Sequence, residues 1–392
     1  MQKIRTNPHT TIMILLALLL ICCGVVGFVC TGQNDPAFAK QNVSKVFIEW
    51  QLPVGSIKYL AFSSCNKFVY ASAADGALYA YTSSGVKSYS VREPEVDRIV
   101  VCPSGKYAML YSHINPSAPK LTFLDSQGRV YWKMNVDGAV WCADASFSQD
   151  RTKFVVGTGK GYVYVIELAK SHKRYKRWRV PGAVVSINAD SETQNITLGT
   201  WQDSAVLRAT ERGKRIWEHD SHSMCLQYVE SLSASDRIIV RSVPNKCGSD
   251  GTLTVLDGEG NRIWQKTIDN MEKTRILTTS NGEYYCLGYN KPIEHKGKSI
   301  IERHSILLDA SGRKIWDKGS LFLQADPMLV TRAGCVLLSD GKNGLFTMTP
   351  SGDMDPSIKL PAQIGRSIAS GDGFRLLLHC TNGKLYMLRV SQ

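Results

Sequence analysis

Leu253-Thr254-Val255-Leu256-Asp257-Gly258-Glu259-Gly260-Asn261-Arg262-Ile263-Trp264-Gln265-Lys266-Thr267-Ile268 reads as a β-hairpin from its residue types alone. Leu253, Val255 and Asp257 alternate with Thr254 and Leu256, the period of a strand. A tight turn follows and ends on Gly260, and a second strand carries Trp264. A glycine after a type I turn takes the positive-φ position of a bulged hairpin, which other residues reach only at a cost. Trp264 falls on the outer strand, where its large ring can pack against a neighbouring unit.

The phrase recurs along the chain. It stands at Phe123-Leu124-Asp125-Ser126-Gln127-Gly128-Arg129-Val130-Tyr131-Trp132 and at Leu307-Leu308-Asp309-Ala310-Ser311-Gly312-Arg313-Lys314-Ile315-Trp316. A looser copy ends in Gly213-Lys214-Arg215-Ile216-Trp217, and weaker ones place Tyr89 and Trp178 at the aromatic position. Counting from Trp50, the aromatic positions are separated by 39, 43, 46, 39, 47 and 52 residues. That period predicts one four-stranded blade of a β-propeller per repeat, for which about 40–45 residues is usual. A helical solenoid of similar period would need apolar residues at 3.6-residue spacing, and these segments alternate with period two. Trp132, Trp217, Trp264 and Trp316 are therefore read as blade-docking residues, structural and not ligand contacts.

The two ends of the repeat region complement one another. Lys45 to Leu52 reads as an outer strand, carrying Trp50, with no blade of its own. Residues 364–390 hold three strands, so the first strand is expected to complete the last blade and close the ring. Seven further blades are read at 53–92, 93–136, 137–180, 181–220, 221–269, 270–319 and 320–360. The total is eight, or seven if 320–360, where Asp355-Pro356 replaces the aromatic, is not a blade. The expectation is an all-β propeller domain over 45–392. Turn chemistry supports it: Pro103-Ser104-Gly105, Ser280-Asn281-Gly282 and Gly371-Asp372-Gly373 precede second strands, and Ala74-Asp75-Gly76, Lys342-Asn343-Gly344 and Thr381-Asn382-Gly383 precede third strands.

Asp125–Trp132, Asp257–Trp264 and Asp309–Trp316 resemble the blade-docking motif of the PQQ-like (quinoprotein-type) β-propeller repeat family. The turns before second strands resemble those of WD-repeat proteins. The resemblance spans 45–392 and implies a fold, in which eight blades are common, more than an activity, because propellers host many functions. A PQQ dehydrogenase of this family is expected to be longer and to carry adjacent cysteines and a calcium-binding acidic cluster. The only adjacent pair here is Cys22-Cys23, in an apolar N-terminal segment, so no cofactor is expected. Within the family, the nearest functional analogy is the lipoprotein of outer-membrane protein assembly.

Lys3 and Arg5 precede an uncharged run at residues 11–30, long enough to cross a bilayer as a helix. The basic flank places residues 1–10 in the cytoplasm and the propeller outside it, beyond a polar linker at 31–44. An uncleaved anchor is favoured by the length of the run. A cleaved, secreted form is the alternative, with Ala37-Phe38-Ala39 as the small-x-small site. A lipoprotein fits least, since bulky residues precede Cys22, Cys23 and Cys30.

Three long loops are expected between second and third strands, at 112–120, 243–251 and 290–303. Topology places that class of loop on one face of the disc, and insertions gathered on one face point to binding. The candidate contacts are His113, Asn115, Asn245, Lys246, Lys291, Glu294, His295, Lys296 and Lys298. Neutral loop drift is the competing explanation. His219, Asp220 and His222, in the connection between the fourth and fifth blades, are a weak metal candidate, and a solvated turn fits them better.

The net charge of +13 is partly local, with Lys173, Arg174, Lys176 and Arg177 on one hairpin. Lysine on an outer strand discourages edge pairing, which accounts for some of it. The remainder suits anionic headgroups or an anionic envelope polymer near a membrane. Nucleic acid is excluded by the expected location. The 11 cysteines are scattered and do not form a disulfide framework. The chain has no Cys-x-x-Cys pair, no Gly-x-Ser-x-Gly elbow and no phosphate loop.

The sequence thus predicts a membrane-tethered, extracytoplasmic propeller that is a non-catalytic binding or scaffold protein, holding a protein or polymer on one face. The alternative is a propeller enzyme, quinoprotein-like or a lyase or hydrolase, with an axial site. An acidic or histidine cluster at the axis would favour it. A sensor ectodomain is a third reading, but a ten-residue cytoplasmic stub leaves little room for output.

Overall fold

The computed structural model describes residues 45–391, apart from 64–65, 94–97, 113–119, 149–150, 170–171, 191–193, 202–204, 222–224, 233, 245–249, 270–273, 296–297 and 321–325. Among the described residues, 32 strands, β1 to β32 in chain order, form eight four-stranded antiparallel sheets. Blades 1 to 7 span 57–92, 98–135, 140–179, 184–220, 225–268, 275–320 and 326–359. The segment carrying Asp355-Pro356 is a complete blade, with Pro356 opposite Phe346 in its outermost pair, so the count is eight. Proline is tolerated there because the outer edge of a blade has no further strand to bond.

Blade 8 is composite. β1 (Val46–Pro53) lies antiparallel to β32 (Lys384–Val390), with Val46 opposite Val390 and Pro53 opposite Lys384. Lys45 and Ser391 exchange hydrogen bonds of 2.9 and 2.8 Å. Blade 1 is then tied to blade 8 by Asn66 Nδ2 to Asp372 Oδ2 (2.8 Å) and by Arg366 Nε to the Ile57 carbonyl (3.0 Å). Closure by the chain's two ends turns a one-dimensional stack of sheets into a ring.

Burial departs from the alternation expected for these strands. β20 (Gly251–Asp257) is buried at every position from Gly251 to Leu256, including Thr252 and Thr254. Each blade is covered by a neighbour on both faces, so its middle strands have no solvent side. Outer strands such as β21 (Arg262–Ile268) mix buried Trp264 and Ile268 with exposed Arg262 and Gln265. The cores lie between blades. Leu253, Val255 and Trp264 of blade 5 pack with Tyr285, Leu287 and Leu308 of blade 6. Four described cysteines, Cys102, Cys286, Cys335 and Cys380, are buried there as free thiols, behaving as small apolar residues.

The repeated phrase explains how blades are fastened. Gly260 sits at φ +88° and Gly312 at +78°, closing the turns between third and fourth strands. The ring of the preceding blade's tryptophan lies directly against each: a Cβ on Gly312 would stand 2.7 Å from Trp264, and one on Gly260 2.8 Å from Trp217. Gly85, Gly128 and Gly213 receive Trp50, Tyr89 and Trp178 in the same way. The indole N–H groups of Trp217, Trp264 and Trp316 donate to Gly258, Ala310 and Thr349 carbonyls of the next blade, at 2.8, 3.2 and 3.1 Å. Trp132 instead stacks on Phe123 of its own blade at 5.5 Å, and residues 170–171 in the corresponding turn of blade 3 lie outside the described residues. The glycine therefore answers two constraints, the turn and the neighbour's ring.

The aspartate that opens the turn holds it by hydrogen bonds. Asp309 Oδ1 accepts the backbone N–H groups of Ser311 and Arg313 at 2.9 and 3.0 Å, and Arg313 Nε donates to Oδ2 at 2.9 Å. Burial alone would raise its carboxyl, but these donors and the Ser311 hydroxyl outweigh it and hold the pKa at about 2.

The apolar run at 11–30 lies outside the described residues. Among the described residues, no helix is long and apolar enough to cross a membrane.

Candidate functional site

Strand direction alternates within a blade, so turns between second and third strands emerge on the same face as blade-to-blade connections. Direct contacts show the pairing. The N–H groups of Val54 and Gly55 donate to Gly383 O, Val180 N–H to Gly161 O, and Leu360 N–H to Asn343 O. We call this the connection face.

Its most prominent feature is in blade 6. The stretch 290–303, expected as a loop, is instead paired strand at 290–295 and 298–303. β23 (Tyr284–His295) and β24 (Lys298–Asp309) are 12 residues each and remain in register from Tyr284↔Asp309 to His295↔Lys298. The inner neighbour pairs with β23 only as far as Gly288, and the outer neighbour with β24 only from Arg303. Among the described residues, 289–295 and 298–302 thus have only each other as strand partners and extend past the four-stranded sheet. Ile293 stands opposite Ile300 and Ile301 opposite Pro292, and β-branched residues of this type favour extended strands. Glu294 is exposed, Lys291 is half-buried, and Ile301 is 68% exposed.

The base of the ribbon is held by polar contacts. His304 lies between Glu302 Oε2 (2.7 Å) and Asp317 Oδ1 (3.1 Å), with the Tyr289 ring at 5.3 Å. Burial, with the charges of Asp317, Asp269 and Glu302, pushes the Tyr289 hydroxyl up to about 12. Gly319 leaves room for His304, since a Cβ there would stand 2.6 Å from its ring.

Of the other sequence candidates, His113, Asn115, Asn245, Lys246, Lys296 and His222 lie outside the described residues, as do the side chains of His295 and Lys298. His219 and Asp220 are not in a connection. They are the last two residues of the outer strand of blade 4, opposite Val206 and Ala205. Successive strand residues point to opposite faces, so the two cannot converge on one ion.

The basic hairpin of blade 3 is largely engaged within the protein. Arg174 donates to both oxygens of Glu167, which also meets His172. Arg177 pairs with Asp137. Lys173 lies over the Tyr131 ring at 5.2 Å, while Arg177 and Arg179 lie over Tyr162 at 5.4 and 5.5 Å. Lys176 is exposed. Lys173 braces blade 3 against blade 2, while the other contacts use the charge within blade 3 and the connection that enters it.

The axis of the ring holds charges that the sequence reading missed. Inner strands of blades 3 to 5 contribute Asp144, Asn188, Tyr228 and Glu230. Asp144 Oδ2 accepts the Ala189 N–H at 2.8 Å. Burial raises the Asp144 carboxyl, with the Ala189 and Asn188 hydrogen bonds opposing it. Burial likewise raises Glu230, opposed by the Tyr228 hydrogen bond and aided by Asp144. On blades 6 to 8 the sign reverses. A cavity of about 480 Å³ opens at the connection-face end, lined by Arg275, Arg303, Arg366, Asp326, Met328, Ser339 and Ser367 among others. The available signal was a charged residue inside an innermost strand, the strand of each blade that lies nearest the axis.

The fold and its two-faced architecture define the protein as an eight-bladed β-propeller. No protein-family model matches the chain, and no curated protein matches it in sequence. Solved structures match in fold. BamB from Moraxella catarrhalis superposes with a TM-score of 0.61 at 12% identity, covering 88% of this chain and 99% of that one. The Swd1 β-propeller domain from Myceliophteria thermophila gives 0.52 at 10% identity, covering 88% and 100%. At such identities the likeness is one of fold.

Proposed function

We propose that the protein is a non-catalytic binding propeller of the PQQ-like type, tethered to the cell membrane through residues 11–30 and displayed outside the cytoplasm. It holds a partner protein on its connection face. The observation that carries this reading is the concentration of non-repetitive structure there: the two-stranded ribbon of blade 6 rises beside the arginine-lined cavity. A rigid ring with one ornamented face is suited to docking, because the scaffold is already ordered before a partner arrives. The uncharged run and its basic flank support the tether. The test is cross-linking in intact cells followed by purification of the tethered protein. A discrete partner that depends on the ribbon supports the reading; recovery of the same partners without it contradicts the reading.

A second reading, an enzyme with an axial site, draws on Asp144 and Glu230. A carboxyl whose pKa is raised by burial can serve as a general acid. Mass spectrometry of the purified full-length protein decides this reading. A retained small molecule that is lost in Glu230→Gln would favour it, and no retained molecule would count against it.

A further inference from the structure

Arg208 and Arg237 direct their guanidinium groups at carboxylates or backbone carbonyls of the protein. Arg208 meets Asp190 at 3.1 Å, Asp236 at 3.0 Å and the Gly258 carbonyl at 2.8 Å. Arg237 donates to the Gly282 and Ala310 carbonyls and to the Tyr285 hydroxyl. Arg275 differs. Its partners are the Ser367 hydroxyl at 3.0 Å and the Met328 thioether at 3.5 Å, a weak acceptor. Among the described residues no carboxylate lies within ion-pair distance of Arg275 or Arg366, whereas Arg303 pairs with Asp326. Burial pulls the Arg275 pKa below its ordinary value, with Asp326 only partly opposing. Three guanidinium groups against the single Asp326 leave the cavity lining with an excess of two positive charges.

We propose that this cavity is an oxyanion-binding site that receives a carboxylate side chain from an acidic segment of the docked partner. The proposal rests on the reading of the connection face as a docking face. The cavity, at about 480 Å³, falls within the range of about 300–1,000 Å³ usual for ligand pockets. Guanidinium groups match a planar carboxylate bidentately, which supplies orientation as well as attraction. Ser339, Ser367 and Gln363 add polar groups around the rim. The chain's net charge of +13 favours encounter with an acidic partner. The cavity opens beside the root of the ribbon, since Arg303 is where β24 joins its outer neighbour, opposite Ser320. One partner could therefore span both.

The test uses the full-length protein, titrated with a capped oligoglutamate peptide, with oligoglutamine and with inorganic phosphate. Oligoglutamate should bind, oligoglutamine should not, and the affinity should fall at least about tenfold in Arg275→Gln. Ser367→Asp, which places a carboxylate inside the cavity and leaves the Arg366 tie to blade 1 intact, guards against a folding defect and should weaken binding similarly. Equal oligoglutamate binding in these folded variants would overturn the proposal. So would binding of phosphate alone, which would assign the site to a free anion. The same variants in the cross-linking experiment separate the two claims. If the unaltered protein captures no partner, the docking reading fails. If a partner is captured equally by Ser367→Asp, docking stands and the carboxylate site is overturned.

Discussion

The two faces of the disc obey different rules. On one, five turns repeat a device, an aspartate or threonine that caps the turn, a glycine at positive φ and the previous blade's aromatic ring lying on that glycine. On the other, turns range from the short Gly159-Lys160-Gly161 to a two-stranded ribbon, and the Arg275 guanidinium donates to a hydroxyl and a thioether. Repetition marks what every blade needs in order to join its neighbours. Departure from repetition marks what only one place in the ring does.

The sharpest break in this comparison would come at the fastening. Trp264 is 9% exposed, stacks edge-on against Tyr285 at 5.1 Å and donates to Ala310 O. Trp264→Ala should destabilise by about 3–5 kcal/mol in denaturant unfolding. An unchanged midpoint would show that blades do not depend on this contact. Gly312→Ala should cost about 2–4 kcal/mol, combining the left-handed backbone with the collision against the Trp264 ring. Its cost should shrink in the Trp264→Ala background, because the collision is gone. Full additivity would mean that only the backbone matters and that the glycine has no role in docking.

A smaller effect tests the cap. The folded Asp309 carboxyl, held at about 2, titrates below its unfolded value of about 3.9. Its contribution is therefore present above pH about 4 and is lost as the pH falls toward 2. Asp309→Asn should flatten that part of the stability–pH curve by only a fraction of the total, since the side chain is 24% exposed and screened. An unchanged curve would remove the cap from the account. Smallest of all should be the stability cost of replacing 292–301 by a short Asn-Gly turn, about 0.5 kcal/mol or less, because that ribbon lies beyond the sheet. Unfolding of this variant would make the ribbon part of the fold and erase the contrast between the faces.

The regular face was readable in the sequence because its physics is local. Asp257, Gly260 and Trp264 lie within one hairpin, and their types announce a capped turn and a large outer ring. What the hairpin alone does not reveal is that Trp264 meets Gly312, 48 residues on, because that contact exists only once blades are side by side. The alternation expected in β20 failed for the same reason: burial on both faces overrides a two-residue pattern. The ribbon was read as a loop because Pro292, Gly297 and several charged residues resemble loop chemistry, while the pairing of 290–295 with 298–303 depends on cross-strand contacts. Arg275 and Arg366 come from blades 6 and 8, and their meeting at one cavity depends on ring closure.

The division of labour between faces is tested most directly by a photo-crosslinking amino acid placed singly at Lys291 or Glu294 on the ribbon, and at Glu259 or Ser311 on the repeating turns. In intact cells the ribbon positions should give a discrete adduct with a partner protein, and the turn positions should give none. A partner captured from Glu259 or Ser311 and absent from both ribbon positions would contradict the assignment of binding to the connection face.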